Sequence, residues 1–95
     1  MRVISKKRLD DFIRQYPNSK NSLESWHVIT KNAAWKSFAD VKQVYGSADL
    51  VGRRTVFNIS GNHYRLIARI NYNLQIVFIL HILTHTEYDK GDWKK

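Results

Sequence analysis

Cysteine is absent from these 95 residues, so neither a disulfide framework nor a thiolate-zinc site is possible. Long apolar runs are missing too. No window approaches the roughly 18 continuous apolar residues of a membrane span, and the basic N-terminus lacks the apolar region of a signal peptide. These absences lead us to expect a soluble, cytosolic protein with no membrane association. Acidic residues are scarce: eight Asp and Glu stand against sixteen Lys and Arg, for a net charge of +8. Such a field attracts polyanions, with nucleic acid first, then an anionic membrane or an acidic protein partner. There is no internal repeat and no low-complexity segment. A chain of this length makes one small domain, residues 1–95, with a single two-layer core.

The chain is organised around residues 55–88, TVFNISGNHYRLIARINYNLQIVFILHILTHTEY, which read as three consecutive antiparallel strands over 55–60, 63–71 and 75–83. Gly61-Asn62 suits a two-residue hairpin turn, because both residues adopt φ > 0 readily. That turn sets Asn58 opposite Arg65 and Phe57 opposite Leu66. Alternation then gathers Phe57, Ile59, Tyr64, Leu66, Ala68 and Ile70 on a core face, leaving Asn58, Ser60, His63, Arg65 and Arg69 on the other. With an odd number of residues in the second turn, Ile76, Phe78, Leu80 and Ile82 join the core face, and His81 and His85 join the polar face beside Arg65. On that reading Phe78→Ala is far more damaging than a change at Val77.

Upstream, residues 1–4 form an apolar edge strand, and Ser5 caps a helix reaching about Tyr16 with Leu9, Phe12, Ile13 and Tyr16 on one stripe. Pro17 ends it. A second helix over 20–32 buries Leu23, Trp26, Thr30 and Ala33; these aromatics read as core rather than a base-stacking platform. Ser37-Phe38-Ala39-Asp40 resembles a capping signal for a short third helix to Tyr45, with Phe38, Val41, Val44 and Tyr45 apolar. Residues 46–54, GSADLVGRR, read as a basic loop. Beyond the sheet, residues 84–95 are polar, Gly91 interrupts any helix, and the closing WKK is expected to fray. The fold class is therefore α+β: N-terminal helices on one face of a twisted, mainly antiparallel sheet of about four strands.

His81 and His85 are four apart, but no HExxH motif surrounds them. Were both on a strand, about 13 Å would part their rings, too far to share an ion. No Gly-x-Ser-x-Gly elbow exists either. The residues do suit phosphodiester chemistry without metal or cofactor. Such cleavage needs a group to deprotonate a 2′-hydroxyl, cations for the phosphate and a proton donor for the leaving oxygen. Arg65, Arg69, His81, His85 and Tyr88 supply these types on or just beyond one sheet face, next to a basic loop. His81 sits among apolar residues and equally suits a partly buried structural histidine. The bland alternative for the whole face is a solvated surface whose charges prevent aggregation.

The segments FNISGNHYRLIARI and ILTHTEYDK resemble the HigB branch of the RelE-like toxins of bacterial type II toxin–antitoxin systems. The resemblance extends over nearly the whole chain, including the helix at SFADVK. It implies an mRNA interferase that cuts message in the ribosomal A site without metal or cofactor. It also implies a cognate, HigA-like antitoxin carrying a helix-turn-helix, with operator DNA met only through the antitoxin complex. Arg65 matches a phosphate-contacting position that stabilises the transition state, and His85 and Tyr88 match acid–base or base-stacking positions. Many relatives have an Arg/Lys-rich end to the last strand where this chain has only His85. The cationic role is then open to Lys36, Lys42, Arg53 or Arg54, with Asn58, Arg69 and His81 as further RNA-binding candidates. A non-catalytic RNA- or ribosome-binding module, or a toxin fold kept only for partner binding, would use the same basic face.

Overall fold

The computed structural model describes residues 1–94. Its elements are β1 (Arg2–Ile4), α1 (Lys6–Gln15), a 3-10 turn (Pro17–Ser19), α2 (Lys20–Asn32), α3 (Phe38–Val44), β2 (Asp49–Val51), β3 (Arg54–Ile59), β4 (Tyr64–Asn71), β5 (Ile76–Thr84), α4 (His85–Lys90) and a closing 3-10 turn (Asp92–Lys94). The fold is α+β. Among the described residues one five-stranded sheet runs in the order β1-β5-β4-β3-β2, antiparallel except where β1 lies parallel to β5. The strand beyond the expected four is β2. Residues 46–54 are not all loop, because Asp49, Leu50 and Val51 pair with Val56, Thr55 and Arg54.

The N-terminal helices cover one sheet face. Leu9 and Phe12 from α1, Leu23 and Trp26 from α2, and Val41 from α3 are buried with Phe57, Ile59, Leu66 and Ala68. Ile13 and Tyr16 pack against that core, completing the α1 stripe. The aromatic residues are structural. Trp26 meets Phe57 edge-on at 5.5 Å, and Phe12 meets Tyr64 edge-on at 5.3 Å. At α3 the expected capping box is absent: Ser37 makes no side-chain cap, and Asp40 instead accepts the Lys36 N–H at 2.8 Å.

The first hairpin has the expected register, Asn58 opposite Arg65 and Phe57 opposite Leu66. Its positive φ angles fall on Ser60 (53°) and Gly61 (66°) rather than on Asn62. The second hairpin departs from expectation. Asn71 pairs with Ile76, leaving four residues in the turn, so Val77 and Ile79 enter the core while Ile76, Phe78 and Leu80 do not. Val77 is fully buried, whereas Phe78 is 37% exposed. A β-bulge then corrects the alternation: Ala68 pairs with Ile79 but Ile67 with His81, making Leu80 the extra residue. Past the bulge Ile82 faces the core and His81 the opposite side, as expected.

That opposite side is not fully open. Val56, Ile67 and Trp93 form a second buried cluster, with Val51, Leu83 and Tyr88 packed around it. The tail therefore does not fray at Trp93, which is 5% exposed; Lys95 lies outside the described residues.

Candidate functional site

Arg65 projects from the middle of the sheet onto the side opposite the helices and is only 8% exposed. Its Nη1 donates to the Tyr64 carbonyl at 3.1 Å, and its Nη2 lies 3.4 Å from Nδ1 of His85. His85 reaches that place because β5 stops at Thr84, whose side chain forms a reciprocal capping box with Glu87. The His85 N–H also donates to the His63 carbonyl at 3.0 Å, which ties α4 to the first hairpin loop. His85 thus opens a helix and is not on a strand with His81. The Thr-x-x-Glu spacing is visible in the sequence and is the signal that locates this helix start.

The contacts of His85 suit one proton arrangement. A guanidinium is donor-only, so a hydrogen bond at this distance would use the lone pair of Nδ1. Nε2 lies 3.1 Å from the Asp89 carboxylate, one turn along α4, and is placed to donate to it. The neutral Nε2–H tautomer satisfies both contacts. Tyr88 completes the group: the Arg65 guanidinium carbon sits 5.4 Å from its ring centroid, within cation–π range. Trp93 stacks on the same ring at 5.1 Å with planes 13° apart and donates its indole N–H to the Tyr88 carbonyl at 2.9 Å. Gly91 makes that return possible, since its φ of 76° ends α4 in the left-handed conformation.

Arg65, His85 and Tyr88 are therefore brought together, with Asn58 directly across from Arg65. Arg69 is not part of that group. Four residues along β4 place it about 13 Å away, and Trp93 packs over Ile67, the residue between them. Arg69 instead joins Lys36 and Arg53 around a cavity of about 800 Å³, also lined by Phe78 and Leu80. A smaller adjoining cavity adds Arg54. Lys42 lines neither; its Nζ donates to the Gly46 carbonyl at 2.8 Å beyond the end of α3. His81 lies between the two groups, lining a recess with Trp93 and Leu83. Burial, then the charges of Arg8 and Arg54, lower its pKa below the usual 6.5. Among the described residues no three His, Asp or Glu side chains are grouped to hold a metal ion. Sequence reasoning gave no role to Trp93 or Asp89 and placed Phe78 in the core. Asp89 follows locally, four residues after His85 on α4, whereas only the tertiary fold brings Trp93 and Phe78 to these groups.

Helices on one side of a small, mainly antiparallel five-stranded sheet form an α+β architecture consistent with a RelE-like toxin. The matching family model is HigB_toxin, the RelE-like toxic component of a toxin-antitoxin system, over residues 19–91, and the chain belongs to that family. It is similar to the mRNA interferase HigB of Escherichia coli O6:H1, with 31% identity covering 95% of this chain and 90% of that protein. Its identity to the mRNA interferase toxin HigB of Escherichia coli K12 is 30%, covering 94% and 88%.

Proposed function

We propose that this chain, acting as one cytoplasmic domain, is an mRNA interferase that cuts message on the ribosome and so inhibits translation. The observation that carries the reading is the convergence of Arg65, His85 and Tyr88 on one face of a protein with net charge +8. The names of its relatives, which align over 95% and 94% of the chain, support it.

In this reading the substrate's 2′-hydroxyl attacks the adjacent phosphorus in line with the leaving 5′-oxygen. The O2′–P bond forms and the P–O5′ bond breaks. One proton leaves the 2′-oxygen and one is delivered to O5′. The products carry a 2′,3′-cyclic phosphate, or the 3′-phosphate after hydrolysis, and a 5′-hydroxyl. Arg65 stabilises the negative charge that develops on the phosphorane oxygens, a role worth about 3–4 kcal/mol in preorganised sites. His85 exchanges a proton at Nδ1, the nitrogen that faces Arg65, with Asp89 holding the other nitrogen. Tyr88 stacks on or orients the substrate, and Asn58 contacts it beside Arg65. Because Arg65 is so little exposed, substrate entry requires the Tyr88 ring to move aside. Lys36, Lys42, Arg53, Arg54 and Arg69 attract the RNA backbone. Burial and the charges of Arg8 and Arg54 favour the neutral form of His81, which suits it to a hydrogen bond rather than to a charge contact.

As the toxic component of a toxin–antitoxin system, the protein has an antitoxin as its partner. We infer a HigA-like antitoxin with a helix-turn-helix, operator DNA being met only through their complex. A membrane has no place in this scheme, and among the described residues no helix is long and apolar enough to cross one.

The test is cleavage of ribosome-bound message mapped at its ends. The expected results are cyclic or 3′-phosphate termini, activity that survives EDTA when ribosomes stay intact, and no cut at a 2′-deoxy nucleotide. Cutting at that 2′-deoxy position, or a requirement of the toxin itself for divalent metal, would overturn the mechanism. Binding without turnover would leave a basic RNA-binding module.

A further inference from the structure

The four-residue turn that pairs Asn71 with Ile76 places Phe78 on the sheet face away from the core, directly across from Arg69. The two side chains are cross-strand neighbours, with Cβ atoms about 5 Å apart. Phe78 is 37% exposed, and β-branched or polar residues would satisfy a merely solvated position on this strand. Around it the cavity of about 800 Å³ carries Lys36, Arg53 and Arg69, with Asn71 and Asn73 at its rim and no carboxylate in its lining. Its volume lies within the roughly 300–1,000 Å³ of small-ligand sites. None of the three cations has an ion-pair partner among the described residues. Asp40 accepts the Lys36 backbone N–H but does not line the cavity. An aromatic face beside unpaired cations is the composition that holds single-stranded nucleic acid, the ring stacking on a base while the cations take its phosphates.

We propose that this cavity is a nucleotide subsite for single-stranded RNA, separate from the Arg65–His85 group, with a base stacked on Phe78 and the adjoining phosphate between Arg53 and Arg69. The inference rests on the RNA-cleaving reading and adds to it a second grip on the strand. The roughly 13 Å from Arg65 to Arg69 corresponds to about four stacked nucleotides at 3.4 Å each, and fewer if the strand is extended. Trp93, packed over Ile67, divides the two grips, so the strand passes around the indole rather than flat across the sheet. Positions several nucleotides from the cut would then contribute to affinity.

The test is fluorescence anisotropy with a labelled 2′-O-methyl heptanucleotide, which cannot be cleaved, titrated with the whole chain at several salt concentrations. Phe78→Ala should weaken binding about tenfold. Arg53→Ala and Arg69→Ala should each lower the slope of log affinity against log salt by about 0.7. Thermal melts verify that each variant is folded, and Phe78→Trp should restore the affinity lost in Phe78→Ala. Wild-type affinity in Phe78→Ala, or loss of the signal to an acidic peptide rather than to competing RNA, would overturn the subsite. The two readings fail separately. Phe78-dependent oligonucleotide binding without message cleavage leaves the subsite and removes the enzyme. Cleavage with Phe78- and Arg69-independent binding does the reverse.

Discussion

Arg65 and His85, twenty residues apart in the chain, meet with 3.4 Å between Nη2 and Nδ1. A guanidinium only donates, so a hydrogen bond between these two atoms uses the lone pair of Nδ1. On the far side of the ring Nε2 lies 3.1 Å from the Asp89 carboxylate, placed to donate an N–H to it. If the guanidinium turns toward a phosphate oxygen, Nδ1 is released to take a proton. In the proposed reaction, charge stabilisation and proton transfer are thereby linked through one contact.

Removing either partner should therefore be costly. Arg65→Ala is expected to lower single-turnover cleavage by about 10²–10³-fold, and His85→Ala by about 10²–10⁴-fold. Arg65→Lys should not restore the rate, because one ammonium cannot reproduce the planar fork that contacts both the Tyr64 carbonyl and His85. Rates are to be compared for variants with unchanged circular dichroism. A His85→Ala variant at wild-type rate would remove the histidine from the mechanism.

The sheet register orders the stability losses. Phe57→Ala, at a fully buried position between Trp26 and Tyr45, should cost about 3–5 kcal/mol. Val77→Ala deletes two buried methyl groups, worth about 1.6 kcal/mol in transfer alone. Phe78→Ala should cost less than either, since its ring already meets solvent. Urea titrations measure all three, and a larger loss at Phe78 than at Phe57 would contradict the bulged register.

Alkaline stability depends on Tyr45. Its buried hydroxyl lacks a hydrogen-bond partner among the described residues, and burial pushes its pKa up to about 12 from 10.0. Above about pH 10 the unfolded chain loses this proton while the folded chain keeps it, so the unfolded state gains. The stabilisation is complete below about pH 10 and is lost as pH rises toward 12. Tyr72, also raised by burial, acts in the same direction. Tyr45→Phe should flatten the decline in a series of urea midpoints across that range.

Salt should weaken RNA association steeply, because each phosphate neutralised releases condensed counterions. For single strands the slope of log affinity against log salt is about −0.7 per phosphate. Anisotropy between low and physiological salt measures it directly. A flat response would count against the whole basic face.

Trp93→Ala should act on catalysis through Tyr88. Losing the stack at 5.1 Å and the bond to the Tyr88 carbonyl frees the ring that lies over Arg65. We expect a fall in kcat greater than the change in KM, together with weaker near-ultraviolet circular dichroism from the stacked pair. Unchanged kcat in a folded variant would show that Tyr88 needs no such support.

Local physics carried much of this protein into view from the sequence. The α1 stripe through Leu9 and Phe12, the end of that helix at Pro17 and the buried side of α2 at Leu23 and Trp26 follow from helical periodicity. The first hairpin register follows from one short turn, because pairing on either side of Gly61-Asn62 sets every later partner up to Thr55 opposite Ala68. The basic balance and the absent cysteine were likewise plain from composition. The RelE-like resemblance rested on contiguous motifs and was readable before any contact was known.

What remained was non-local. An extra residue in a strand leaves little mark on hydrophobic alternation when it ends an unbroken apolar run, as Leu80 does after Ile76, Val77, Phe78 and Ile79. The bulge, and the turn register that exposes Phe78, were settled only by pairing with β4. Trp93 reads as a polar tail until Gly91 turns the chain back and the indole finds Val56 and Ile67. The division of the basic residues into one group at Arg65 and another at Arg69 has the same origin. Sequence determines which residue types can perform the chemistry; where a strand slips by one residue and which side chain lies across the sheet are decided by contacts between segments far apart in the chain.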